Sequence, residues 1–361
     1  MRYFTSRRNF LGRGLGLAAA ANAGALATSK VFTGPAIAQQ PTAFPAIKPP
    51  ILRPGDTIGL VAPASHAYEP EHIQIAKETM ESYGFQVVLG QHIADKHGYL
   101  AGRDEDRAAD LHDMFRRPDI KGIATFQGGY GCARLLPLLD YDLIRQNPKV
   151  IIGHSDITSL LLAIYRQTGL ITFHGSSGLT GVGNYAKAHF RDAIMSAQPV
   201  GSTAQPPKTP PNQVERNNRL ITLVPGRATG ELIGGNLSLF VNLLGTPYEP
   251  DTTGKILFLE EVAEEPYAVD RMLTQILLAG KFQDAAGIAL GHFVDCFPSD
   301  GVIQSFSVEE VLRDRLIPTG KPTLYNLMFG HVEENAVLPI GARATLDATE
   351  KTLSIIESAV V

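Results

Sequence analysis

The chain has 361 residues, of which 44% are hydrophobic and 19% are charged, and its formal net charge at pH 7 is −4. This length suggests two domains that each bury a core, and the slightly acidic balance gives no reason to expect a nucleic-acid partner. The two cysteines, Cys132 and Cys296, are too few for a disulfide framework or a zinc site. The sequence also has no H-E-x-x-H motif, and we find no metal signature.

The N-terminus has the pattern of an export signal at residues 1–38. It contains S-R-R-N-F-L-G from Ser6, a twin-arginine pattern, followed by a short apolar stretch rich in alanine and glycine. The motif A-I-A ends at Ala38, where we expect cleavage. An alanine-rich amphipathic helix or a membrane anchor is the alternative, but the stretch is too short and too glycine-rich for a stable span. We therefore predict a periplasmic mature protein that is not stably inserted in the membrane.

After a proline-rich lead-in at residues 39–53, predicted strands and helices alternate from residue 54 to residue 200. This alternation is typical of a parallel sheet that is covered by helices on both faces, and it predicts an N-terminal α/β domain. The predicted strands are 57–62, 85–89, 120–126, 150–152 and 171–173, and the predicted helices are 72–83, 104–115, 132–139 and one that begins at 157.

Several residues with useful chemistry follow these strands directly. Ligands of an open parallel sheet bind at the carboxyl ends of its strands. We therefore predict that four such positions line one crevice, namely Ser65, Gly128-Gly129, Ser155 and His174.

The turn after the strand 150–152 is the most informative stretch. It reads V-I-I-G-H-S-D-I-T from Val150, which predicts a buried strand, a tight turn and a helix with Ser155 at the corner. Asp156 is predicted to cap that helix. A nucleophilic serine requires this placement, because its hydroxyl then projects clear of the sheet beside free helix N–H groups. Only half of the G-x-S-x-G pattern is present, since Ile157 replaces the last glycine, and a simple capped helix is the alternative.

The proline-rich residues 201–220 are predicted to be a linker, and a second domain is expected at 221–361. Within it we expect a glycine-rich turn at 230–236 and two antiparallel strands between residues 344 and 356. The other predicted elements are helices at 237–244 and 269–279, and strands at 255–259 and 287–290.

Glu260 and His331 each lie at the end of an element in this second domain. If the strand before Glu260 continues, Glu260 and Glu261 face opposite sides, so that at most one of them points at a site. Together with Ser155, Glu260 and His331 supply a nucleophile, an orienting acid and a base, in an order known for such triads. The alternatives are that the acids only mark where the strand reaches solvent, and that His331 is an exposed or structural loop residue.

Two features after the third predicted strand also have alternative interpretations. The loop Gly128–Gly131 lacks the spacing of a dinucleotide loop and the lysine of a P-loop, so its bare backbone N–H groups suit an oxyanion better. Cys132 begins a predicted helix, where a thiolate is favoured, and this makes a cysteine-dependent amidotransferase conceivable. The other interpretation of Cys132, which we favour, is a small packed apolar residue.

Six segments occur in an order that points to a known family. They are V-A-P-A-S from Val61, F-Q-G-G-Y-G-C-A-R-L-L-P from Phe126, I-G-H-S-D-I-T from Ile152, G-E-L-I-G-G-N-L from Gly230, L-F-L-E-E from Leu257 and F-G-H from Phe329. Together they resemble the LD-carboxypeptidase family, which includes muramoyltetrapeptide carboxypeptidase and the microcin-immunity peptidase. The resemblance covers roughly residues 54–346. One departure is Gln127, which stands where an arginine is often found before the two glycines.

The resemblance assigns roles to five residues. It implies that Ser155 is the nucleophile, Glu260 the acid and His331 the base, and that the backbone N–H groups of Gly129 and Asp156 form the oxyanion hole. It further implies a parallel-sheet α/β domain, a smaller C-terminal α/β domain rich in β-structure, and an active site between them. It implies no metal and no organic cofactor, and commonly a homodimer.

The activity that the resemblance implies is hydrolysis of an L,D-peptide bond, with release of a terminal D-Ala from a murein tetrapeptide. The expected partner is thus a peptide derived from peptidoglycan. The alternatives are a peptidase for another amide, such as a peptide antibiotic, and a periplasmic binding protein without catalysis. Ser155→Ala separates these hypotheses, because it would leave ligand affinity intact in a binding protein and would be harmless in an enzyme that depends on Cys132.

Overall fold

The computed structural model describes residues 44–180, 183–210, 212–299 and 304–361. The predicted export signal at residues 1–38 lies outside these ranges. Within them, no helix combines the length and the apolar character that are needed to cross a membrane.

The described residues form two sheets flanked by helices. The strands are β1 Thr57–Val61, β2 Gln86–Leu89, β3 Ile120–Thr125, β4 Val150–Gly153, β5 Thr172–His174, β6 Gly201–Thr203, β7 Ile221–Val224, β8 Arg227–Asn236, β9 Ile256–Val262, β10 Gly287–Val294, β11 Thr323–Tyr325, β12 Leu338–Ile340, β13 Arg343–Asp347 and β14 Thr352–Ile355. The helices are α1 Pro70–Glu81, α2 Asp104–Arg116, α3 Cys132–Leu135, α4 Tyr141–Gln146, α5 Ile157–Thr168, α6 Asn184–Ile194, α7 Leu237–Asn242, α8 Pro266–Leu278, α9 Lys281–Asp284 and α10 Val308–Leu316.

The first sheet has six strands in the order β12-β5-β4-β3-β1-β2. Strands β1 to β5 are parallel, which confirms the predicted parallel sheet. The central strands β3 and β4 are buried along nearly their whole length, as expected where helices cover both faces. The strand order reverses between β1 and β3, and at such a reversal the carboxyl ends of the strands leave a crevice.

The second sheet is larger, with eight strands in the order β6-β14-β13-β8-β9-β10-β11-β7. Its centre, β8 to β11, is parallel, and the strands on both sides run antiparallel to it. The predicted antiparallel pair near the C-terminus is present as β13 and β14. The two-sheet arrangement confirms the predicted α/β fold class.

Two edge strands belong to the sheet of the opposite half of the chain. Strand β6 lies at the start of the predicted linker but pairs with β14 in the second sheet. Strand β12 comes late in the chain but pairs antiparallel with β5 in the first sheet. The predicted linker at 201–220 therefore does not begin as a linker, because its first three residues form β6.

Residues 230–236 are not the glycine-rich turn that the sequence suggested, because they continue the long strand β8. A Cβ at Gly235 would lie 2.6 Å from Thr158 Cγ2 in α5, and a Cβ at Gly234 would collide with the carbonyl oxygen of Phe258 in β9. Both glycines have positive φ values, 147° at Gly234 and 142° at Gly235, which other residues rarely adopt. Glycine here marks a close approach of neighbouring elements rather than a turn.

The predicted helix 132–139 is shorter than expected. Helix α3 ends at Leu135, and a 3-10 turn follows at Leu136–Leu138. Pro137 lies within that turn, and proline cannot donate the hydrogen bond that would continue an α-helix. The segment therefore serves as a compact connection after the Gly-Gly loop.

The two sheets meet along α5, the helix that follows Ser155. The backbone N–H of Asn236 donates to Thr158 Oγ1 at 3.1 Å, and the hydroxyl of Tyr165 donates to Glu231 Oε2 at 2.9 Å. Both acceptor–donor pairs join α5 to β8. Helix α5 therefore fixes the turn at Ser155 relative to the strands that carry the site residues of the second domain.

Candidate active site

A cavity of about 620 Å³ opens at the carboxyl ends of β1, β3 and β4. It is lined by residues that follow these strands and by His331 from the second half of the chain. Of the positions predicted to share one crevice, Ser65, Gly128-Gly129 and Ser155 line this cavity. His174 does not line it, because its side chain is completely buried behind the cavity wall.

Ser155 lies at the corner between β4 and α5 with a φ of 60°. A non-glycine residue in this left-handed region is uncommon, and such residues cluster at functional turns. Neighbouring glycines make the tight turn possible, since a Cβ at Gly153 would lie 2.7 Å from Ile157 Cγ2 and a Cβ at Gly128 would lie 2.6 Å from Ser155 Cβ. The geometry is the strand–turn–helix of a nucleophile elbow, which exposes the hydroxyl above the sheet.

Asp156 does not cap α5 as the sequence suggested. It occupies the N-cap position, but its backbone is helical and its side chain makes no capping hydrogen bond. Its Oδ2 instead accepts a hydrogen bond from the backbone N–H of Cys132 at 2.8 Å. Burial raises the pKa of the Asp156 carboxyl, and the Cys132 N–H opposes that shift. The side chain of Asp156 thus ties the serine turn to the end of the Gly-Gly loop.

The two backbone N–H groups expected in an oxyanion hole belong to Asp156, which directly follows Ser155, and to Gly129, which follows the Gly128 that packs against Ser155. Gly129 has a φ of 116°, and a Cβ at this position would collide with Ser65 Oγ. The next N–H, of Tyr130, donates to that Ser65 Oγ at 3.2 Å. By contrast, the N–H groups of Gly129 and Asp156 have no acceptor among the described residues. Free N–H groups at this position can donate to a developing oxyanion.

His331 and Glu260 form a hydrogen-bonded pair, with His331 Nδ1 2.7 Å from Glu260 Oε2. The Glu260 side chain is fully buried, and 20% of the His331 side chain is exposed at the cavity. Burial alone would lower the pKa of His331, but the hydrogen bond and the charge of Glu260 outweigh burial and raise this pKa above its usual value. A buried carboxylate thereby orients one nitrogen of the imidazole and leaves Nε2 free.

The loop that carries His331 is fixed by neighbouring contacts. Gly330 has a φ of 113°, and a Cβ there would lie 2.8 Å from Glu260 Oε2. The N–H of Gly330 donates to Asn335 Oδ1 at 3.1 Å, and Asn335 Nδ2 donates to Ser176 Oγ at 2.9 Å. This chain of hydrogen bonds links the His331 loop to the segment just after β5. The position of His331 is therefore set by both domains.

Glu261 points to the opposite side of β9 from Glu260, as expected for successive residues of a strand. Its Oε1 accepts a hydrogen bond from Asn236 Nδ2 at 2.8 Å, and its Oε2 accepts one from Ser238 Oγ at 2.6 Å. These contacts hold the start of α7 against β9. Glu261 thus has a packing role, and Glu260 is the acid that reaches the cavity side.

Two further histidines lie beside the His331–Glu260 pair. The ring centroid of His154 is 5.3 Å from that of His331, and His174 Nε2 is 3.8 Å from Glu260 Oε1. Burial lowers the pKa of His154 to about 3 and that of His174 well below its usual value. Both rings are therefore neutral near pH 7. In the sequence, His154 has no specific signal beyond its position next to Ser155.

Cys132 is completely buried, and its Sγ lies 3.6 Å from the carbonyl oxygen of Pro63. Burial raises the pKa of the thiol well above its usual value, and the nearby Asp156 raises it further. A thiolate nucleophile needs the opposite environment, exposed and electropositive. The structure therefore favours the packed apolar interpretation of Cys132 over a cysteine-dependent enzyme.

Comparison with known families gives two adjacent matches. The model of the LD-carboxypeptidase N-terminal domain matches residues 58–175, and the model of the LD-carboxypeptidase C-terminal domain matches residues 229–346. The first match contains β1 to β5 and Ser155, and the second contains Glu260 and His331.

Individual relatives agree with these matches. A Bacillus subtilis protein named "Probable murein peptide carboxypeptidase" is 43% identical over 318 residues, which cover 87% of this chain and 95% of the relative. The murein tetrapeptide carboxypeptidase of Pseudomonas aeruginosa is 32% identical over 299 residues, covering 80% of this chain and 92% of the relative.

Solved structures share the fold. The microcin C7 self-immunity protein MccF superposes with a TM-score of 0.77 at 28% identity, covering 87% of this chain and 99% of that chain. The muramoyltetrapeptide carboxypeptidase of Oxalobacter formigenes superposes with a TM-score of 0.68 at 26% identity, covering 82% and 97% of the two chains.

Fold, family matches and relatives together define the class of this protein as a two-domain serine-type carboxypeptidase. The chain belongs to the LD-carboxypeptidase family.

Proposed function

We propose that this carboxypeptidase hydrolyses an L,D-peptide bond and releases the terminal D-Ala of a murein tetrapeptide through a Ser155–His331–Glu260 triad. The observation that carries the proposal is the 2.7 Å hydrogen bond between His331 Nδ1 and Glu260 Oε2 at the cavity that Ser155 also lines. The names of the Bacillus and Pseudomonas relatives support a murein peptide as substrate. The partner of this enzyme is accordingly a peptide derived from peptidoglycan.

The proposed reaction has two stages. Nε2 of His331 accepts the proton of Ser155 Oγ as this oxygen attacks the scissile carbonyl, and Glu260 stabilises the resulting imidazolium. The free N–H groups of Gly129 and Asp156 donate to the tetrahedral oxyanion. His331 then gives its proton to the leaving amine. Water hydrolyses the acyl-enzyme with His331 again as the base, and this restores Ser155.

The test is mass spectrometry of a murein tetrapeptide incubated with the protein from residue 39 onward. Loss of one alanine by the unsubstituted protein, abolished in Ser155→Ala, is the expected result. Cys132→Ala serves as the control and is expected to retain the activity. Alanine release that survives in Ser155→Ala would overturn the proposed mechanism, and absence of release from the unsubstituted protein would overturn the murein assignment.

A second candidate substrate is the amide of an aminoacyl nucleotide. MccF, whose fold this chain shares, has been solved in complex with aspartyl sulfamoyl adenosine. The chain has no tryptophan, the largest side chain for stacking on a base, which favours the murein peptide over the nucleotide. Incubation with an aspartyl amide of a nucleotide, in parallel with the tetrapeptide, compares the two substrates directly.

We also propose that the protein is exported through its twin-arginine signal and acts in the periplasm as a homodimer. Support comes from the S-R-R-N-F-L-G pattern and the A-I-A motif that ends at Ala38. Replacement of Arg7 and Arg8 by lysine should leave the protein in the cytoplasmic fraction.

The proposed homodimer rests on the resemblance to the LD-carboxypeptidase family. The mass of the mature protein in solution, measured by light scattering, tests it.

A further inference from the structure

The charges that line the cavity are unbalanced. Lys96 lines it, whereas no aspartate, glutamate or arginine is found among its described lining residues. Of the lining histidines, His154 is kept neutral by burial, which lowers its pKa to about 3. The cavity therefore offers a fixed positive charge to a ligand and no negative one, which suits an anionic group.

We propose that Lys96, together with Tyr99 and Tyr130, forms a carboxylate-binding subsite at the rim of the cavity. This subsite holds the terminal carboxylate of the peptide and gives the enzyme its preference for a free chain end. The inference rests on the proposed carboxypeptidase function and names one substrate contact of the same site.

The position of Lys96 is built into the fold. The next residue, His97, forms two backbone hydrogen bonds with Leu100, one of 2.9 Å and one of 3.0 Å, and these close a tight turn. The following N–H, of Ala101, donates to the carbonyl of Ala64 at 3.0 Å. Tyr99 thus lies in a turn that is attached to the loop after β1, and Lys96 immediately precedes this turn.

The same loop fixes Tyr130 on the other side of the rim. Its residue Ser65 bridges to Leu100 in the turn, and Ser65 Oγ accepts a hydrogen bond from the N–H of Tyr130 at 3.2 Å. The rings of Tyr99 and Tyr130 meet edge to face with centroids 6.1 Å apart. The loop after β1 therefore contacts both segments that carry Lys96, Tyr99 and Tyr130, and these three residues line the same opening.

The donors at this rim are unused within the described parts of the chain. Lys96 Nζ has no ion-pair partner there, in contrast to Arg107 and Arg134, which both pair with Asp104. Gln127 also lines the cavity, but its amide donates to the carbonyl of His66 at 2.9 Å and carries no charge. Lys96 is therefore the group at the rim that can neutralise a carboxylate.

The two tyrosines contribute apolar surface and free hydroxyl groups. Tyr99 is 63% exposed and Tyr130 is 69% exposed, which is unusual for rings of this size. Neither hydroxyl has a hydrogen-bond partner among the described residues. When a peptide covers these rings, water is displaced from around Lys96, and its attraction to a carboxylate becomes stronger than at an open surface.

Every substrate of a carboxypeptidase carries a negative charge at its terminal carboxylate. A carboxypeptidase must distinguish the last peptide bond from internal ones, and the free carboxylate is the chemical mark of the chain end. Carboxylates inside the peptide could bind Lys96 in the same way. Amidation of the terminal carboxylate alone, or of the internal carboxylates alone, shows which of them Lys96 binds.

The experiment measures kcat and KM of Lys96→Gln and Lys96→Arg on three forms of the tetrapeptide: the free acid, the form amidated at the C-terminus, and the form amidated at its internal carboxylates. Lys77→Gln is the control, because Lys77 lies on α1 and pairs with Glu81. We expect Lys96→Gln to raise KM for the free acid about tenfold, since it removes a hydrogen bond to a charged group. Its kcat should stay within about twofold, and Lys96→Arg should restore most of the affinity.

The comparison between substrates decides the assignment. The difference between the unsubstituted enzyme and Lys96→Gln should vanish on the C-terminal amide and persist on the internally amidated peptide. The opposite pattern would overturn the terminal assignment, and an unchanged KM for the free acid would overturn the subsite. If the unsubstituted protein releases no D-Ala, the proposed function itself is wrong. If it releases D-Ala and Lys96→Gln does so with the same KM, only the subsite is wrong.

Discussion

His331 Nδ1 and Glu260 Oε2 lie 2.7 Å apart, although 71 positions separate the two residues along the chain. The carboxylate is fully buried, and a buried carboxylate is costly without a close partner. Gly330 makes the approach possible, because any side chain at that position would meet the carboxylate. The pair therefore depends on the backbone geometry of the loop as well as on the two side chains.

Glu260→Gln should lower kcat/KM on the tetrapeptide by about 10³-fold, because glutamine neither stabilises the imidazolium nor enforces the same tautomer of His331. Glu261→Gln is the matched control on the same strand, and it should change activity by only a few fold while lowering the thermal midpoint. Steady-state kinetics and thermal unfolding of both variants measure these effects. A Glu260→Gln enzyme with unchanged kcat/KM would contradict the proposed triad.

The activity should fall on the acid side through the protonation of His331. The base must be neutral, and Glu260 raises the pKa of His331 above its usual value of about 6.5. The acid limb of kcat/KM should therefore have its midpoint above about pH 6.5. In Glu260→Gln the negative charge that raises the pKa of His331 is lost, whereas burial still lowers this pKa. The midpoint of the residual activity should therefore move to lower pH. A midpoint that does not move would show that another group titrates.

Gly330→Ala should disable the site more than it destabilises the fold. Its φ of 113° and the contact with Glu260 both oppose a Cβ, so the His331–Glu260 pair should separate and activity should fall about 10²-fold or more. Gly320→Ala is the control, because Gly320 also has a positive φ but has nothing within 4 Å of the added carbon. It should cost about 1 kcal/mol of stability and leave kcat unchanged. Equal activities of the two variants would refute the role of Gly330.

The free energy of unfolding should decrease as the pH falls below about 6.5. His154 is held neutral in the fold with a pKa of about 3, whereas in the unfolded chain it binds a proton near pH 6.5. The unfolded state therefore gains protons first, and stability is lost at up to about 1.4 kcal/mol per pH unit for each such histidine. His154→Gln should flatten this slope, measured by urea unfolding between pH 7 and pH 4.

Strands β1 to β4 of the first sheet were predictable because each is a short apolar run that is followed by apolar residues at helical spacing, a pattern that local sequence shows well. Strand β8 was not, because its two consecutive glycines also fit a turn. Only the proximity of Phe258 and Thr158 explains why a strand needs glycine there. Strand β12 was missed for a related reason, since its three residues L-P-I acquire a partner only when β5 lies beside them.

The candidate site shows the same division between local and distant information. Ser155 could be placed at its corner from the neighbouring residues, whereas the side chain of Asp156 was assigned to the wrong partner. A capping role follows from local preference, but the N–H of Cys132 lies 24 residues away and offers a better-placed donor. Glu260 and His331 could be suggested as acid and base from their positions at the ends of elements, and the resemblance to a family assigned these roles to them. His154 emerged only with the packing of the two domains, whereas His174, which was predicted to line the crevice, lies buried beside Glu260.

Strands β6 and β12 make each half of the chain complete the sheet of the other. A break in the proline-rich stretch after β6 would give one piece whose first sheet ends at β5 and another whose second sheet ends at β14. Each piece would then present an unpaired strand edge, the surface that most readily recruits foreign chains. The two halves therefore depend on each other for complete sheets and are not structurally independent domains. Heating should melt them in one transition, and the separate pieces should regain structure only when they are refolded together.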